Sequence, residues 1–293
     1  MLTKPTRAVR RDQSPAVAGG LPSGAFTLIE LLVVIGLVAV LATMLVPASA
    51  HIRPASQAIQ CQNNLRQLAN AWKMYAEDNG GRIASAYPNY GMFMNTWCAG
   101  DAETGGVSGS YSYGGADPAG IQSGSLWPYS RTLSLYHCPT DHRTADAVGV
   151  PAQFAGKPIL RSISMNSFMA GTSFGANPDW VITTPTGARD PNYPVYINET
   201  EIKLPKQTFV LVDEDQASIN DAMLLIDVGG GARFIDLPSR AHRFGYGICF
   251  ADGHAEIYRF QDDASKNWQV SSPRPRGGLN DWTRLVNVTT HPL

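Results

Sequence analysis

Residues 26–50 read FTLIELLVVIGLVAVLATMLVPASA, and Glu30 is the only charged side chain among them. Between positions 31 and 46 stand five Leu, five Val and one Ile. At a few tenths of a kcal/mol each, these favour insertion into a bilayer by roughly 4–6 kcal/mol, whereas a carboxylate near one end costs at most about 3 kcal/mol. The sequence therefore predicts a transmembrane helix over residues 26–50. Ahead of it, residues 1–25 carry Lys4, Arg7, Arg10 and Arg11 against the single acid Asp12. A basic flank of this kind stays on the cytoplasmic side, which places everything beyond about Ser49 outside. Ala48-Ser49-Ala50 also fits the small-residue pattern of signal-peptide cleavage, a competing reading in which the apolar segment is discarded.

The helical pattern continues. Ala58, Cys61, Leu65, Leu68, Trp72 and Tyr75 recur at spacings of three and four, one apolar stripe on a helix. Gln60, Asn63, Asn64, Arg66, Asn70, Lys73 and Glu77 fall on the other side, and Asn79-Gly80-Gly81 supplies a stop. A helix over 26–79 would be roughly 80 Å long. Pro47 marks a bend within it, and Pro54 predicts a loosening just beyond the membrane.

Gly24-Ala25-Phe26-Thr27-Leu28-Ile29-Glu30-Leu31-Leu32-Val33-Val34-Ile35 closely resembles the processing signal of class III prepilins: a small residue, an aromatic start, and Glu as the fifth mature residue. That resemblance implies cleavage between Ala25 and Phe26 by a prepilin peptidase and N-methylation of Phe26. Family members usually have Gly before the cut, so Ala25 departs from the pattern, whereas cleavage after Gly24 would make Glu30 the sixth mature residue. Glu30 is implied as the assembly residue that meets the terminal amine of a neighbouring subunit. In a medium of low dielectric such a pair selects register, because a misaligned subunit leaves one charge bare. A second likeness lies in His242, nine intervening residues, then Asp252-Gly253, which resembles the H-x9-DG element of prepilin-type proteins abundant in planctomycetes, verrucomicrobia and their relatives. Cys61-Gln62-Asn63-Asn64-Leu65-Arg66-Gln67-Leu68, Cys138-Pro139-Thr140-Asp141, Ser164-Met165-Asn166 and the acidic stretch from Asp213 to Asp221 resemble the same group, so the likeness spans most of the mature chain.

Residues 80–293 form the head. Positions 80–124 are rich in Gly, Ser, Tyr and Asn and read as long surface loop around a short piece at 91–98. A short helix is predicted within 125–135, and strands over 159–165, 180–184, 194–197, 208–212, 223–228, 246–250 and 255–260. Asp252-Gly253 between the last two is a strong hairpin signal. Gly229-Gly230-Gly231 precedes no helix pattern and reads as a turn.

Balanced charge, 23 Lys+Arg against 24 Asp+Glu with a net of −1, shows no basic surplus and argues against a nucleic-acid partner. Cys61, Cys98, Cys138 and Cys249 form no C-x-x-C pair, and their three possible full disulfide pairings stay open. Cys61, on the apolar stripe, reads as a buried small side chain. His137, Cys138 and His142 match no zinc spacing, and a buried or bridged Cys138 is the better reading. Asp213, Asp215, Asn220 and Asp221, next to Glu214, offer oxygen ligands for a candidate calcium site, although the spacing departs from an EF-hand loop. His242, Asp252 and His254 lack any accompanying nucleophile or H-E-x-x-H pattern, so the chain reads as no enzyme. His242 fits a structural histidine, and Asp252 fits its turn.

Together these features predict an α+β fold of pilin-like form, with a long transmembrane and then amphipathic N-terminal helix packed on an antiparallel β-sheet head. The ranges are a cytoplasmic leader at 1–25, the membrane helix at 26–50, its amphipathic continuation at 51–79 and the extracytoplasmic head at 80–293. The expected role is a pseudopilin or minor pilin subunit of a type II secretion or type IV pilus-like system, in the inner membrane with its head outside. Its expected partners are the peptidase, other pilin-like subunits and membrane lipid. The alternative is an anchored envelope protein whose head binds a glycan or secreted substrate, with Tyr87, Tyr90, Trp97, Tyr111 and Tyr113 as stacking candidates.

Overall fold

A computed structural model of the chain describes residues 27–86, 96–105, 113–146, 149–169, 193–228, 234–268, 276–277 and 279–291, with side chains at 42–53 also left out. The processing residues Ala25 and Phe26, the leader, the predicted strand at 180–184, and Tyr87, Tyr90 and Tyr111 lie outside the described residues. The chain divides into two compact units, Met1–Ser49 and Ala50–Leu293.

Helix α1 (Leu28–Asp78) contributes to both. It remains one helix through Pro54, where the sequence predicts loosening. The amphipathic half behaves as its spacing requires: Cys61, Leu65, Leu68, Trp72 and Tyr75 are all buried in the main core. Asn64 departs from the pattern. It is buried, because its side-chain amide donates to the carbonyls of Ser134 and His137, each at 3.0 Å.

Beyond α1 come the short helices α2 (Ala119–Gln122) and α3 (Trp127–Ser130), then a 3-10 turn at Leu133–Tyr136. Strands β1 (Ile163–Asn166), β2 (Phe209–Asp213), β3 (Met223–Leu224), β4 (Gly245–Phe250) and β5 (Ala255–Arg259) form one sheet in the order β3-β1-β2-β4-β5. The inner strands β1, β2 and β4 are buried at every residue, whereas edge strand β5 mixes buried with partly exposed and exposed positions. At 194–197 no strand forms; Tyr196 makes only an isolated bridge to Met169. The sequence assigns nothing after residue 260, yet α4 (Asp263–Lys266) and α5 (Leu279–Thr289) follow. Asp281 of α5 accepts the backbone N–H groups of Gln261 and Asp262, which fastens this helix to the end of β5.

The predicted fold class needs correction at both ends. First, the sheet is mixed rather than antiparallel, since β3 pairs parallel with β1. The chain leaving β2 passes the end of β1 before entering β3, and buried Arg161 holds that crossing by donating to the carbonyls of Asp221 (2.7 Å) and Gly100 (3.2 Å). Second, among the described residues no helix is long and apolar enough to cross a membrane.

The 80–124 segment also differs from its reading as surface loop. Ile83, Ala84, Trp97, Cys98, Ala99 and Ala102 are buried. Several of its glycines serve close backbone packing: a Cβ on Gly100 would stand 2.9 Å from the Cα of Gly120. Trp97 is fully buried, stacks on Tyr136 at 5.7 Å and donates its indole N–H to Ala222 O, which removes it from any sugar-stacking surface.

Helix α1 meets the sheet at Gly247, where an added Cβ would lie 2.7 Å from Leu65 Cδ1 and 3.0 Å from Cys61 Sγ. Gly247→Val is therefore expected to lower stability by about 2 kcal/mol through overpacking, read as a shift of the urea midpoint of the purified chain. Gly105→Ala, which enters open space, should change that midpoint little.

Candidate functional site

Cys61 from α1, Cys138 from the turn after Leu133–Tyr136, Asp213 at the end of β2 and His242 in the turn before β4 meet in the core. All four are buried, and one sulfur, nitrogen or carboxylate oxygen from each lies within 4.8 Å of the others. Each arrives for a local reason. Cys61 follows the apolar stripe. Cys138 is carried by a segment that α1 grips twice, through Asn64 on Ser134 and His137 and through Gln57 Nε2 on Pro139 O at 3.1 Å. Ser162 then links two members, since its hydroxyl accepts from Cys138 N at 2.7 Å and donates to Asp213 Oδ1 at 3.3 Å.

His242 sits in a tight turn whose next two residues, Arg243 (φ 57°) and Phe244 (φ 56°), are both left-handed. For residues with a Cβ, that conformation costs roughly 1–2 kcal/mol each. The turn is tied by His242 N–H to Gly245 O (3.1 Å) and by Arg259 Nη1 to His242 O (3.1 Å). It aims His242 Nε2 to 3.2 Å from Cys138 Sγ and 3.7 Å from Asp213 Oδ2.

The electrostatics are unbalanced. The hydrogen bond from the Cys61 thiol, with smaller help from His242 and Thr140, holds Cys138 well below the usual thiol range. As donor of that bond, and through burial, Cys61 is pushed well up. Burial, together with the charge of Cys138, drives the Asp213 carboxyl upward. Asp213 Oδ2 and His242 Nδ1 are buried with no hydrogen-bond partner among the described residues. Such orphaned polar atoms cost on the order of 1–3 kcal/mol each.

No family model, characterised relative or solved structure matches this chain.

Other sequence candidates are placed differently. Among the described residues, each member of the calcium set has partners of its own. Asp213 points into the thiol cluster, Asp215 forms a two-pronged pair with Arg240, Asp221 caps Met223 N, and Asn220 accepts from Asp221 N. Glu214, between them, is buried and accepts from Ser218. His137 lies 3.8 Å from Asp141 and His142 is exposed, so neither joins Cys138. Cys98 and Cys249 are buried elsewhere in the core, and all four cysteines are free thiols.

The H-x9-DG element resolves into a strand and its two ends. Its nine intervening residues are Arg243, Phe244, the six residues of β4, and Ala251. Phe250 N–H donates to His254 O, and Gly253 N–H donates to Phe250 O, a three-residue hairpin loop whose last position is left-handed. Gly253 takes that position at φ 98°. Lys73 of α1 donates to Asp252 O at 2.6 Å, so this end of the strand is also held by the helix. His242 and Asp252 thus stand at opposite ends of β4 and share no site. What sequence reasoning missed is the meeting of Cys61 with Cys138 and of both with Asp213. The Cys61-x-x-Asn64 spacing of α1 is the one signal that bears on it, since Asn64 positions the Cys138 segment.

Burial would raise the Asp252 carboxyl, but hydrogen bonds from the His254 ring and N–H, with the charge of Lys73, hold it below the usual range. A lowered folded value means the stabilisation is present above the ordinary carboxylate range and is lost as pH falls through the folded value. Asp252→Ala is expected to cost about 1 kcal/mol at pH 7. In urea titrations that cost should shrink steadily with acidification through the carboxylate range.

Proposed function

We propose that the chain is a pseudopilin or minor pilin-like structural subunit of a type II secretion or type IV pilus-like system. It is cut between Ala25 and Phe26 by a prepilin peptidase, methylated at Phe26, and assembled at the inner membrane through its N-terminal helix with its head outside the cytoplasm. Its work is structural, without catalysis. The observation that carries this reading is the start of α1. Leu28, Ile29, Leu31, Leu32, Val33, Val34, Ile35, Leu37, Val38, Val40 and Leu41 are all exposed around the helix, with Glu30 as the one charge among them. At about 25 cal/mol per Å² of apolar surface, such a helix gains strongly from being covered. Copies of the same helix, packed side by side, cover it.

Glu30 has a second role in the single chain. Thr27 N and Oγ1 donate to Glu30 Oε2 at 2.9 and 2.7 Å, and Glu30 N donates back to Thr27 Oγ1 at 3.3 Å. This is a capping box, Thr-x-x-Glu, at the first turn. The carboxylate is fully solvent-facing and held in place by Thr27, ready to exchange that partner for a neighbour's terminal amine.

The two roles separate by substitution. Gln also serves the capping box, but it carries no charge for an amine. Glu30→Gln should retain N-terminal processing, read by mass spectrometry of the mature N-terminal peptide, yet be lost from sheared filaments or crosslinked assemblies. Assembly of Glu30→Gln at the level of the unaltered chain would refute the charge pairing. A native protein beginning at His51 would refute the whole reading.

A further inference from the structure

We propose that Cys61, Cys138, Asp213 and His242 bind one zinc ion, through the two sulfurs, Asp213 Oδ2 and His242 Nε2, as a structural metal centre joining the helix to the sheet. This goes beyond the assembly role above and does not depend on it.

The donor set is two thiolates, one imidazole and one carboxylate, a combination suited to tetrahedral zinc. Bond lengths of about 2.0–2.3 Å make the edges of such a tetrahedron roughly 3.2–3.8 Å. The separations of 3.2 Å from Cys138 Sγ to His242 Nε2 and 3.7 Å from His242 Nε2 to Asp213 Oδ2 already fall there, and every other pair lies within 4.8 Å. Small side-chain movements complete the geometry.

Three further observations point to a cation. Asp213 Oδ2 is a buried oxygen without a hydrogen-bond partner among the described residues, on a residue only 1% exposed, and its carboxylate lies within 4.8 Å of the Cys138 sulfur. A cation gives it a partner. The surrounding bonds resemble those that orient metal ligands: Ser162 Oγ on Asp213 Oδ1 and Thr140 Oγ1 at 2.9 Å from Cys138 Sγ. Finally, His242 is delivered by two successive left-handed residues, a strained turn of the kind found where a side chain must be held in place.

With all four positions filled by protein, the centre is closed and structural, with no open site for a substrate. Binding is a proton exchange with no change of oxidation state. Zn²⁺ enters and the thiol protons of Cys61 and Cys138, with that of Asp213 where present, leave to solvent. The competing state is a Cys61–Cys138 disulfide, which needs an oxidant to remove two electrons and leaves Asp213 Oδ2 without a partner among the described residues.

The test uses the full chain purified in detergent with a reductant. Elemental analysis is expected to give about one zinc per chain. Asp213→Asn and His242→Ala should lower it to background, while Cys98→Ser and Cys249→Ser, outside the cluster, keep it. Chelator should depress the thermal midpoint of the unaltered chain and leave that of His242→Ala unmoved. Should a variant fail to fold, metal-stripped unaltered chain titrated with Co²⁺ supplies an independent readout, the intense visible bands of tetrahedral cobalt with a thiolate charge-transfer band. Zinc that survives both Asp213→Asn and His242→Ala overturns the assignment. So does a cobalt titration without those bands, or a zinc-free chain with Cys61 and Cys138 joined in a non-reducing peptide map.

Discussion

The close approach of α1 to β4 at Gly247 governs the head. Leu65 and Cys61 sit where a side chain would project from that strand, so the helix lies directly on the sheet. From this seam the remaining contacts follow in register. Arg66 reaches Ala255 O at the start of β5, Lys73 reaches the hairpin at Asp252, and Asn64 and Gln57 hold the segment that carries Cys138. A helix displaced by one turn along its axis would lose the polar contacts together with the apolar ones. Buried amides such as Asn64 add selectivity because they leave several unsatisfied groups in any other register.

Much of this was legible from residue spacing. The stripe from Cys61 to Tyr75 names the buried face of α1, and Asp252-Gly253 names the hairpin. Strands β1 and β2 fall within or beside their predicted ranges because their apolar runs are short and bounded. The parallel pairing of β3 was not legible. It depends on Arg161 reaching carbonyls about sixty positions away, and no local pattern records such a contact. The buried course of residues 96–102 was hidden for a related reason. Glycine marks both a flexible loop and a place where two backbones touch, and only the neighbour distinguishes them. The membrane-crossing helix was read from hydropathy alone, and among the described residues no helix is long and apolar enough to cross a membrane.

The cluster of thiols, carboxylate and imidazole shows the same limit. Each member has an innocent local explanation: a helix stripe, a Cys-Pro turn, a strand end and the start of a hairpin motif. Tertiary structure alone puts them in one place. The H-x9-DG element shows the reverse case, a spacing visible in the sequence whose meaning is geometric. It measures one strand, with the strained His242 turn at one end and Gly253 at the other.

The positions of the four cluster residues along the chain carry a consequence for biogenesis. Cys61 emerges early and His242 late, with Cys138 and Asp213 between. A nascent or truncated polypeptide ending between Asp213 and His242 holds both thiols and the acid without the imidazole that completes the cluster. Closing such long loops is entropically slow. Completion of this contact therefore waits until residue 242 of 293 has been made, late in synthesis.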